Sequence, residues 1–198
     1  MELPAENDQT YYPGYEQASL LTYCDKWFLA NIKAQKNSRL RVFGENVKGQ
    51  SVLLCRYLTP IKPPVEIVDL ENGKEDNFAI ERVARFVSMI PFQDDISMFQ
   101  NLPDTYTTCQ EFLDLGAGDY EEHAILLANY FQYIDDIQNK DMYESFLVFG
   151  EAMPEGMTTY VMRKKKAKTI NNNTTSTSVE LWQPLTGESY FFQEKNKN

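Results

Sequence analysis

The stretch Gly118-Asp-Tyr-Glu-Glu-His-Ala-Ile-Leu-Leu127 predicts the beginning of a helix that continues to Phe131. Asp119 is a good N-cap residue, because its side-chain oxygen can accept a hydrogen bond from a backbone N–H that has no partner inside the helix. Glu121 and Glu122 follow in the first turn, where the helix dipole favours negative charge. Neighbouring helix residues point about 100° apart, so these two carboxylates cannot flank one glycosidic bond as a catalytic pair would.

The chain on either side of this helix predicts an α+β fold, with the central helix packed on an antiparallel sheet. Upstream, apolar residues recur every three or four positions, which is typical of helices with one buried face. Downstream, short apolar runs bounded by turn residues predict antiparallel strands. The predicted helices cover 17–34, 78–90 and 107–115, the predicted hairpin strands 39–43 and 51–58, the predicted loop 93–106, and the predicted C-terminal strands 145–149, 157–163, 179–183 and 186–192.

The composition is that of a folded, acidic protein. Of 198 residues, 42% are hydrophobic, with 12 Tyr and 12 Phe, which excludes global disorder. The net charge is 19 − 29 = −10, which argues against nucleic-acid binding and against broad adhesion to anionic lipid. No apolar run approaches the roughly 20 residues of a membrane-spanning helix, and no secretory signal is visible. Three cysteines (Cys24, Cys55 and Cys109) without a CxxC pair indicate free thiols in a reducing compartment.

Three segments of different composition predict the domain organisation. Residues 1–16 are polar and punctuated by proline and glycine, so they are expected to form a flexible N-terminal arm. Residues 17–75 form a lead-in region of a helix and a hairpin, and the apolar stripe of the helix is interpreted as a core or docking face. A charged loop around Gly73 then leads into the third segment, residues 76–194.

Five blocks of sequence resemble, in the same order, a known domain family. Four resemble the transglutaminase-like domain of the ciliary coiled-coil and C2 domain-containing protein 2A family and its centrosomal relatives, and one resembles the link before that domain. The resemblance implies a papain-like core in residues 76–194, either complete or truncated at its C-terminus. The blocks are Cys55-Arg-Tyr-Leu-Thr-Pro-Ile-Lys-Pro-Pro64, Val83-Ala-Arg-Phe-Val-Ser-Met-Ile-Pro-Phe92, the helix start at 118–127, Gly150-Glu-Ala-Met-Pro-Glu-Gly-Met-Thr-Thr-Tyr-Val161 and Leu181-Trp-Gln-Pro-Leu-Thr-Gly187.

The resemblance implies that the catalytic residues are replaced. Active relatives use a Cys at a helix N-terminus, a His base on a strand and an Asp on the next strand. The corresponding positions here are Tyr120, Thr158 and Gln183. A phenol with a pKa near 10 is a poor nucleophile without a strong base. We therefore expect a pseudoenzyme in which Tyr120 fills the former thiolate pocket and packs near Trp182 or Tyr160.

The resemblance also implies a cellular role as a scaffold or protein-binding domain in ciliogenesis, since a fold can keep its core without its chemistry. The expected partners are ciliary transition-zone or basal-body proteins, with no nucleic acid and no transmembrane segment, and membrane proximity would come through the complex. The expected location is the cytoplasm and cytoskeleton at the ciliary base, and a centrosomal or axonemal complex is the other option. The family's C2 module and coiled coils are missing from these 198 residues, so a fragment or a shortened relative is expected.

A residual cysteine-dependent hydrolase or acyltransferase is the alternative function. His123 is the only histidine of the chain, so every Cys–His pair must use it, and this hypothesis pairs it with Cys109. His123 lies one turn beyond Tyr120 on the same helix, whereas the family's base comes from a strand. A hydrogen-bonded structural histidine is therefore favoured, and Cys109 is interpreted as a small apolar core residue.

The remaining charged motifs are interpreted as solvated surface. Asp94-Asp95 and Asp135-Asp136 lack the ligand spacing of a calcium loop, and one His with three scattered Cys offers no zinc pair. No metal or cofactor is therefore expected. The run 163–168 carries five positive charges in six residues. It is expected to be a solvated hairpin edge, with binding to phosphoinositide head groups or an acidic partner as the alternative. The polar stretch 171–178 predicts a flexible hairpin insertion.

Overall fold

The computed structural model describes residues 18–34, 42–70, 76–99, 105–139, 142–154, 156–166, 169–170, 173–174 and 178–193. The predicted N-terminal arm, the loop around Gly73 and most of the polar 171–178 stretch lie outside the described residues.

Helices and strands follow one another in a mixed α+β order, as the sequence predicts. The helices are α1 (Ala18–Ala34), α2 (Ala79–Ser88), α3 (Asp95–Met98), α4 (Cys109–Leu115) and α5 (Tyr120–Ile134), and α5 continues into a π-helical turn, Asp135–Asn139. The strands are β1 (Phe43–Asn46), β2 (Ser51–Leu53), β3 (Thr105–Tyr106), β4 (Tyr143–Ala152), β5 (Gly156–Lys165), β6 (Thr169–Ile170), β7 (Asn173–Thr174), β8 (Ser178–Gln183) and β9 (Glu188–Gln193).

These elements form two compact units that alternate along the chain. The first unit combines Met1–Leu58 with Gln93–Leu115, and the second combines Thr59–Phe92 with Gly116–Asn198. Each unit therefore draws on two separate stretches of sequence. The composition of the sequence predicts a domain boundary near residue 75. This boundary stays a prediction.

The first unit contains a small sheet in the order β2-β1-β3. Strands β1 and β2 form the predicted hairpin, but β1 covers Phe43–Asn46 instead of the predicted 39–43, of which 39–41 lie outside the described residues. The side chain of Asn46 closes the turn by accepting hydrogen bonds from the backbone N–H groups of Lys48 and Gln50. Strand β3 pairs with β1 in parallel. Position 44 of β1 requires glycine, because a Cβ there would overlap the ring of Tyr106.

Two predictions for the first unit need correction. The predicted strand 51–58 ends at Leu53, and Leu54–Tyr57 form a 3₁₀ turn that buries Tyr57, whose hydroxyl donates to the carbonyl of Tyr106 at 3.2 Å. The predicted loop 93–106 contains α3 and β3, which are too short to show a sequence period. Helix α1 confirms the predicted helix over 18–34, but no residue from 18 to 31 is buried, so its apolar stripe is not a core face within this unit.

The second unit is built around α5 and a sheet in the order β4-β5-β8-β9, in which every neighbouring pair is antiparallel. The predicted C-terminal strands are confirmed. The first three extend further than the sequence suggests, and the fourth begins at Glu188 and ends at Gln193. Helix α5 is buried almost throughout. The Phe131 ring lies edge-on to Trp182 on β8, with centroids 5.4 Å apart, and Tyr130 contacts the ring of Phe86 on α2. Helix α5 therefore packs between α2 and one face of the sheet.

The turn between β8 and β9 packs closely against α2. Gly187 has a φ of +73°, a conformation that residues with a Cβ rarely adopt. A Cβ at Gly187 would also lie 3.2 Å from the carbonyl oxygen of Ala84 and 3.3 Å from the hydroxyl of Ser88. Both the backbone conformation and the space at this turn therefore require glycine.

Candidate functional site

The N-terminus of α5 is fixed by a reciprocal capping box. The side chain of Asp119 accepts a hydrogen bond from the backbone N–H of Glu121 at 2.9 Å, and the carboxylate of Glu122 accepts one from the backbone N–H of Asp119 at 3.1 Å. Both Asp119 and Glu122 are buried. The prediction that Asp119 is the N-cap is confirmed, and Glu122 has a specific capping role in addition to its favourable place in the helix dipole.

The end of α2 is attached to the same turn of α5. The backbone N–H of Gly118 donates to the carbonyl of Pro91 at 3.3 Å, and Phe92 and Gly118 form a parallel β-bridge. The ring of Phe92 lies 5.0 Å from that of Tyr120. Two of the sequence blocks that carry the family resemblance, those ending at Phe92 and beginning at Gly118, are therefore in direct contact.

His123 is fully buried, and each of its ring nitrogens lies against a backbone carbonyl. Its Nδ1 is 2.6 Å from the carbonyl oxygen of Asp119, and its Nε2 is 3.0 Å from that of Ile90, at the end of α2. A carbonyl oxygen can only accept, so a nitrogen that bonds to one must act as the donor. In this arrangement His123 links α2 to α5, as a structural histidine would.

The three positions that the sequence resemblance assigns to the family's catalytic residues lie at the start of α5 and on two strands. Tyr120 is the first residue of α5 and is half-buried. Thr158 on β5 pairs with Gly150, and Gln183 on β8 pairs with Glu188. Because side chains alternate along a strand, Thr158 and Gln183 lie on the opposite face of the sheet from Trp182, which contacts α5. The packing of Tyr120 near Trp182 or Tyr160 stays a prediction.

Thr158 and Gln183 are both buried but differ in hydrogen bonding. The side-chain oxygen of Gln183 accepts a hydrogen bond from the backbone N–H of Leu185 at 3.0 Å, so it stabilises the turn after β8. The hydroxyl of Thr158 is buried and has no hydrogen-bond partner within the described part of the chain. A threonine hydroxyl in this state cannot take the place of an imidazole, because it neither accepts a proton at neutral pH nor is held by an acceptor.

The cysteines lie in the first unit. Cys109 is the first residue of α4 and is half-buried, Cys24 is half-buried, Cys55 is exposed, and none of the three forms a disulfide. His123 belongs to the second unit. The pairing of Cys109 with His123 that the residual-enzyme hypothesis requires stays a prediction.

Arg163 forms a buried ion pair, which corrects the prediction of a solvated hairpin edge at this residue. It was expected on a solvated edge with the lysines that follow it, but it is buried. Its guanidinium forms two hydrogen bonds with Asp135, at 2.8 and 2.5 Å, and a third with Glu180 at 3.0 Å. The ring of Tyr143 lies 3.6 Å from its central carbon. The signal in the sequence was that Arg163 falls on the same side of β5 as Val161, two residues away.

The environment of Arg163 also fixes its charge. Burial of the guanidinium lowers the pKa of Arg163, but the hydrogen bond to Asp135 and the negative charges of Asp135 and Glu180 outweigh that effect, so the pKa lies above its ordinary value. Asp135 is correspondingly buried rather than solvated. The prediction of a solvated Asp135-Asp136 loop is therefore wrong for Asp135, because a carboxylate beside a buried guanidinium is itself held in the interior.

The other acidic pair also has one buried member. Asp94 caps α3 by accepting a hydrogen bond from the backbone N–H of Ser97. Asp95 is buried, and its carboxylate accepts a hydrogen bond from the backbone N–H of Thr105, the first residue of β3. The prediction of a solvated loop is wrong for Asp95, whose carboxylate provides the partner for a buried backbone donor.

Comparisons with known proteins agree with the resemblance in the sequence. The profile of the CEP76 peptidase-like domain matches residues 104–198. Protein CC2D2B of Homo sapiens is 30% identical over 166 residues, which are 82% of this chain and 10% of that protein. The chain thus spans about a tenth of the length of this curated relative. No solved structure shows a significant match.

The class of domain that these matches share is transglutaminase-like, which is consistent with the α+β fold of the chain. Within that class, the findings support a transglutaminase-like domain of the CC2D2 family in this chain. Among the described residues, none of the helices has the length and apolar character needed to cross a bilayer.

Proposed function

We propose that this chain is a non-catalytic transglutaminase-like domain that works as a scaffold and binds other proteins. The observation that supports this most is the placement of His123, the only histidine of the sequence. Both of its ring nitrogens lie against backbone carbonyls within the buried contact between α2 and α5. A general base needs a nitrogen lone pair directed at the nucleophile, and each nitrogen of His123 is directed at a carbonyl oxygen.

The residues at the three family positions give further support. Tyr120 carries a phenol, which at neutral pH is overwhelmingly protonated unless a strong base is close by. Thr158 offers a hydroxyl in place of an imidazole, and Gln183 offers an uncharged amide that already bonds to the backbone of Leu185. None of the three side chains supplies the thiolate, the base or the negative charge of the family's mechanism.

The proposed setting is the ciliary base, with transition-zone or basal-body proteins as partners. The support for this setting is the similarity to the CC2D2 family, and the resemblance of the Met153–Gly156 block to its ciliary branch. Attachment to a complex at this site would bring the domain near the membrane without a membrane-spanning segment of its own.

A thiol-labelling experiment tests the absence of catalysis. We expect iodoacetamide to label Cys109, which is half-buried, no faster than exposed Cys55. Cys109→Ser and Cys55→Ser identify the two signals. Labelling of Cys109 that persists near about pH 6, and that His123→Gln abolishes in a folded protein, would instead support the cysteine-dependent hydrolase or acyltransferase.

Proximity labelling in ciliated cells tests the setting. The chain carries the labelling enzyme, and the enzyme alone in the cytoplasm serves as the control. We expect labelled transition-zone or basal-body proteins and an imaging signal at the ciliary base. Enrichment of only centrosomal or axonemal proteins would indicate that the scaffold belongs to a centrosomal or axonemal complex. A diffuse signal equal to that of the control would contradict a ciliary role.

A further inference from the structure

We infer that the sheet face opposite α5 is a docking surface for an amphipathic helix with a basic flank. This inference rests on the proposed function, because it assigns the protein-binding surface of the scaffold. The strand register defines the outer face, the side of the β4-β5-β8-β9 sheet that carries eight apolar side chains. They are Phe146, Val148, Tyr160, Met162, Val179, Leu181, Tyr190 and Phe192.

The outer face is continuous across all four strands. Phe146 pairs with Met162, Met162 with Leu181, and Leu181 with Tyr190. Residues that pair directly in an antiparallel sheet point to the same side, so these four form one apolar row from β4 to β9. Val148 and Tyr160 extend the surface on one side of the row, over β4 and β5. Val179 and Phe192 extend it on the other side, over β8 and β9, where the same line of paired residues continues as Lys164 and Glu144 on β5 and β4.

The eight apolar side chains of the outer face are not covered, although Thr158 and Gln183, which lie on the same side of the sheet, are buried. None of its eight side chains is buried, and Phe146, Val148, Tyr190 and Phe192 are 41%, 36%, 43% and 56% exposed. An antiparallel sheet with one face in water normally alternates apolar and polar side chains. Strand β5 departs from this rule, because both of its faces carry apolar residues. A contiguous exposed apolar surface of this kind is typical of a protein-binding site.

The size of the outer face fits a single helix. Four strands about 4.8 Å apart, with their side chains, span about 19 Å, the length of about 13 residues of α-helix. Three rows of side chains spaced about 6.6 Å apart span about 13 Å, close to the helix diameter of about 10–12 Å. The area of the outer face, estimated from this length and width, is therefore a few hundred Å². This is well below the roughly 800 Å² that each partner buries in a stable dimer interface. These dimensions favour a helix over a second copy of the chain.

The charge at the β4 edge indicates the flank of that helix. Phe146, at the end of the apolar row, also lines a cleft of about 310 Å³ whose other lining residues include Asp136, Glu144 and Lys166. Asp136 and Glu144 are exposed carboxylates. Glu144 is 3.8 Å from the Lys166 ammonium and pairs across the strands with exposed Lys164. The cleft is large enough for a Lys or Arg side chain. In a chain of net charge −10, a basic flank on the partner is the complementary choice.

Peptide binding by fluorescence anisotropy tests the surface directly. The probe is a designed helical peptide of about 13 residues with a leucine stripe and a lysine flank. We expect saturable binding that Phe146→Ser with Tyr190→Ser weakens by about tenfold or more. The matched control is Phe149→Ser with Phe191→Ser, which removes two exposed aromatic residues from the opposite face and is expected to leave binding unchanged. Thermal unfolding verifies that both variants are folded.

Two further comparisons make the test decisive. The same peptide with a glutamate flank should bind more weakly, and the difference should shrink at high salt because screening reduces the charge contribution. No binding of the lysine-flanked peptide, or equal weakening by the two double variants, overturns the inference. Self-association of the chain that the Phe146/Tyr190 variant abolishes would also overturn it, in favour of a second copy.

The cellular readout separates this inference from the proposed function. If the wild-type chain labels no ciliary neighbours, the proposed ciliary setting fails. The peptide-binding experiment still tests whether the outer face binds a helix. If the Phe146/Tyr190 variant keeps every ciliary neighbour of the wild type, the docking inference fails and the scaffold role stands. Selective loss of neighbours in this variant, with none lost in the Phe149/Phe191 control, is the outcome we expect.

Discussion

The buried hydroxyl of Thr158 has no hydrogen-bond partner among the described residues. Burying an unpaired hydroxyl destabilises the folded state, because its hydrogen bond to water is lost and no other replaces it.

Replacing Thr158 by valine, which has nearly the same shape, should therefore stabilise the protein. We expect the free energy of unfolding to rise by about 1 kcal/mol, measured by urea denaturation. Thr108→Val is the control, because the hydroxyl of Thr108 bonds to the Glu111 carboxylate at 2.8 Å and caps α4, so its loss should destabilise by about 1 kcal/mol. Destabilisation by Thr158→Val would mean that this hydroxyl has a role in the fold.

Gly187 tests the contact between the β8–β9 turn and α2. Gly187→Ala should lower the free energy of unfolding by about 1–3 kcal/mol, because it combines a strained positive φ with crowding against Ala84. Gly116→Ala separates the two effects, since Gly116 has a φ of +68° but open space around it. Equal losses for the two variants, measured by thermal unfolding, would show that crowding at Gly187 is unimportant.

Single residues could be predicted from the sequence where a local rule fixes them. Asp119 is an N-cap by residue type and position, and the structural interpretation of His123 follows from its place on a helix rather than a strand. Burial at Asp95, Asp135 and Arg163 could not be predicted in this way. Each of these charges is held by a partner at least ten positions away in the chain, and local pattern carries no information about such a partner.

The buried ion pair between Asp135 and Arg163 attaches the C-terminal end of α5 to β5. Removing one member of a buried ion pair leaves the other charge unpaired in the interior, which is more costly than removing both. Arg163→Met should lower the free energy of unfolding by about 3–5 kcal/mol. Asp135→Leu combined with Arg163→Met should recover much of that loss, and a loss equal to the sum of the single variants would contradict coupling.

The raised pKa of Arg163 gives this prediction a definite pH dependence. A group whose pKa is higher in the folded state stabilises the fold fully below its ordinary pKa, which for an arginine lies far into the alkaline range, and loses that contribution only as the pH rises through the higher folded value. The destabilisation by Arg163→Met should therefore be the same at neutral and at moderately alkaline pH, as denaturation series at the two conditions would show.

The long elements were predictable and the short ones were not. Helices α2 and α5 and the four strands of the large sheet follow the period of their apolar residues, so they appear at nearly the expected positions. Strand β3 has two residues and helix α3 has four, which is too short for a period to be seen. Their positions depend on contacts with β1 and with the Asp95 carboxylate, which the sequence does not reveal.

The sequence predicts the α+β class of the whole molecule, and the boundary near residue 75 that composition suggests stays a prediction. The compact units each take two stretches of sequence. In the first unit, the pairing of β3 with β1 and the hydrogen bond from Tyr57 to Tyr106 join positions 105–106 to the first sixty residues. Long-range pairing of two residues leaves almost no trace in local composition.

Truncation tests whether the first unit depends on both of its stretches. A chain that begins at Thr59 loses β1, β2 and Tyr57, so β3 and Tyr106 lose their partners. We expect the amides of 105–112 to lose protection from hydrogen exchange, measured by mass spectrometry. A chain that begins at Val42 removes α1, in which no residue from 18 to 31 is buried, and should keep that protection. Unchanged exchange in the shorter chain would contradict the division.

The parallel pairing of β1 with β3 has a consequence for biosynthesis. The ribosome must add 62 further residues (105 − 43) after Phe43 before Thr105 exists, which at about 5–20 residues per second takes about 3–12 s. During that interval one edge of the nascent β1–β2 hairpin is open, and open strand edges recruit other chains or chaperones. Codons for residues 59–92, which belong to the second unit, thus set the time for which the first unit remains incomplete.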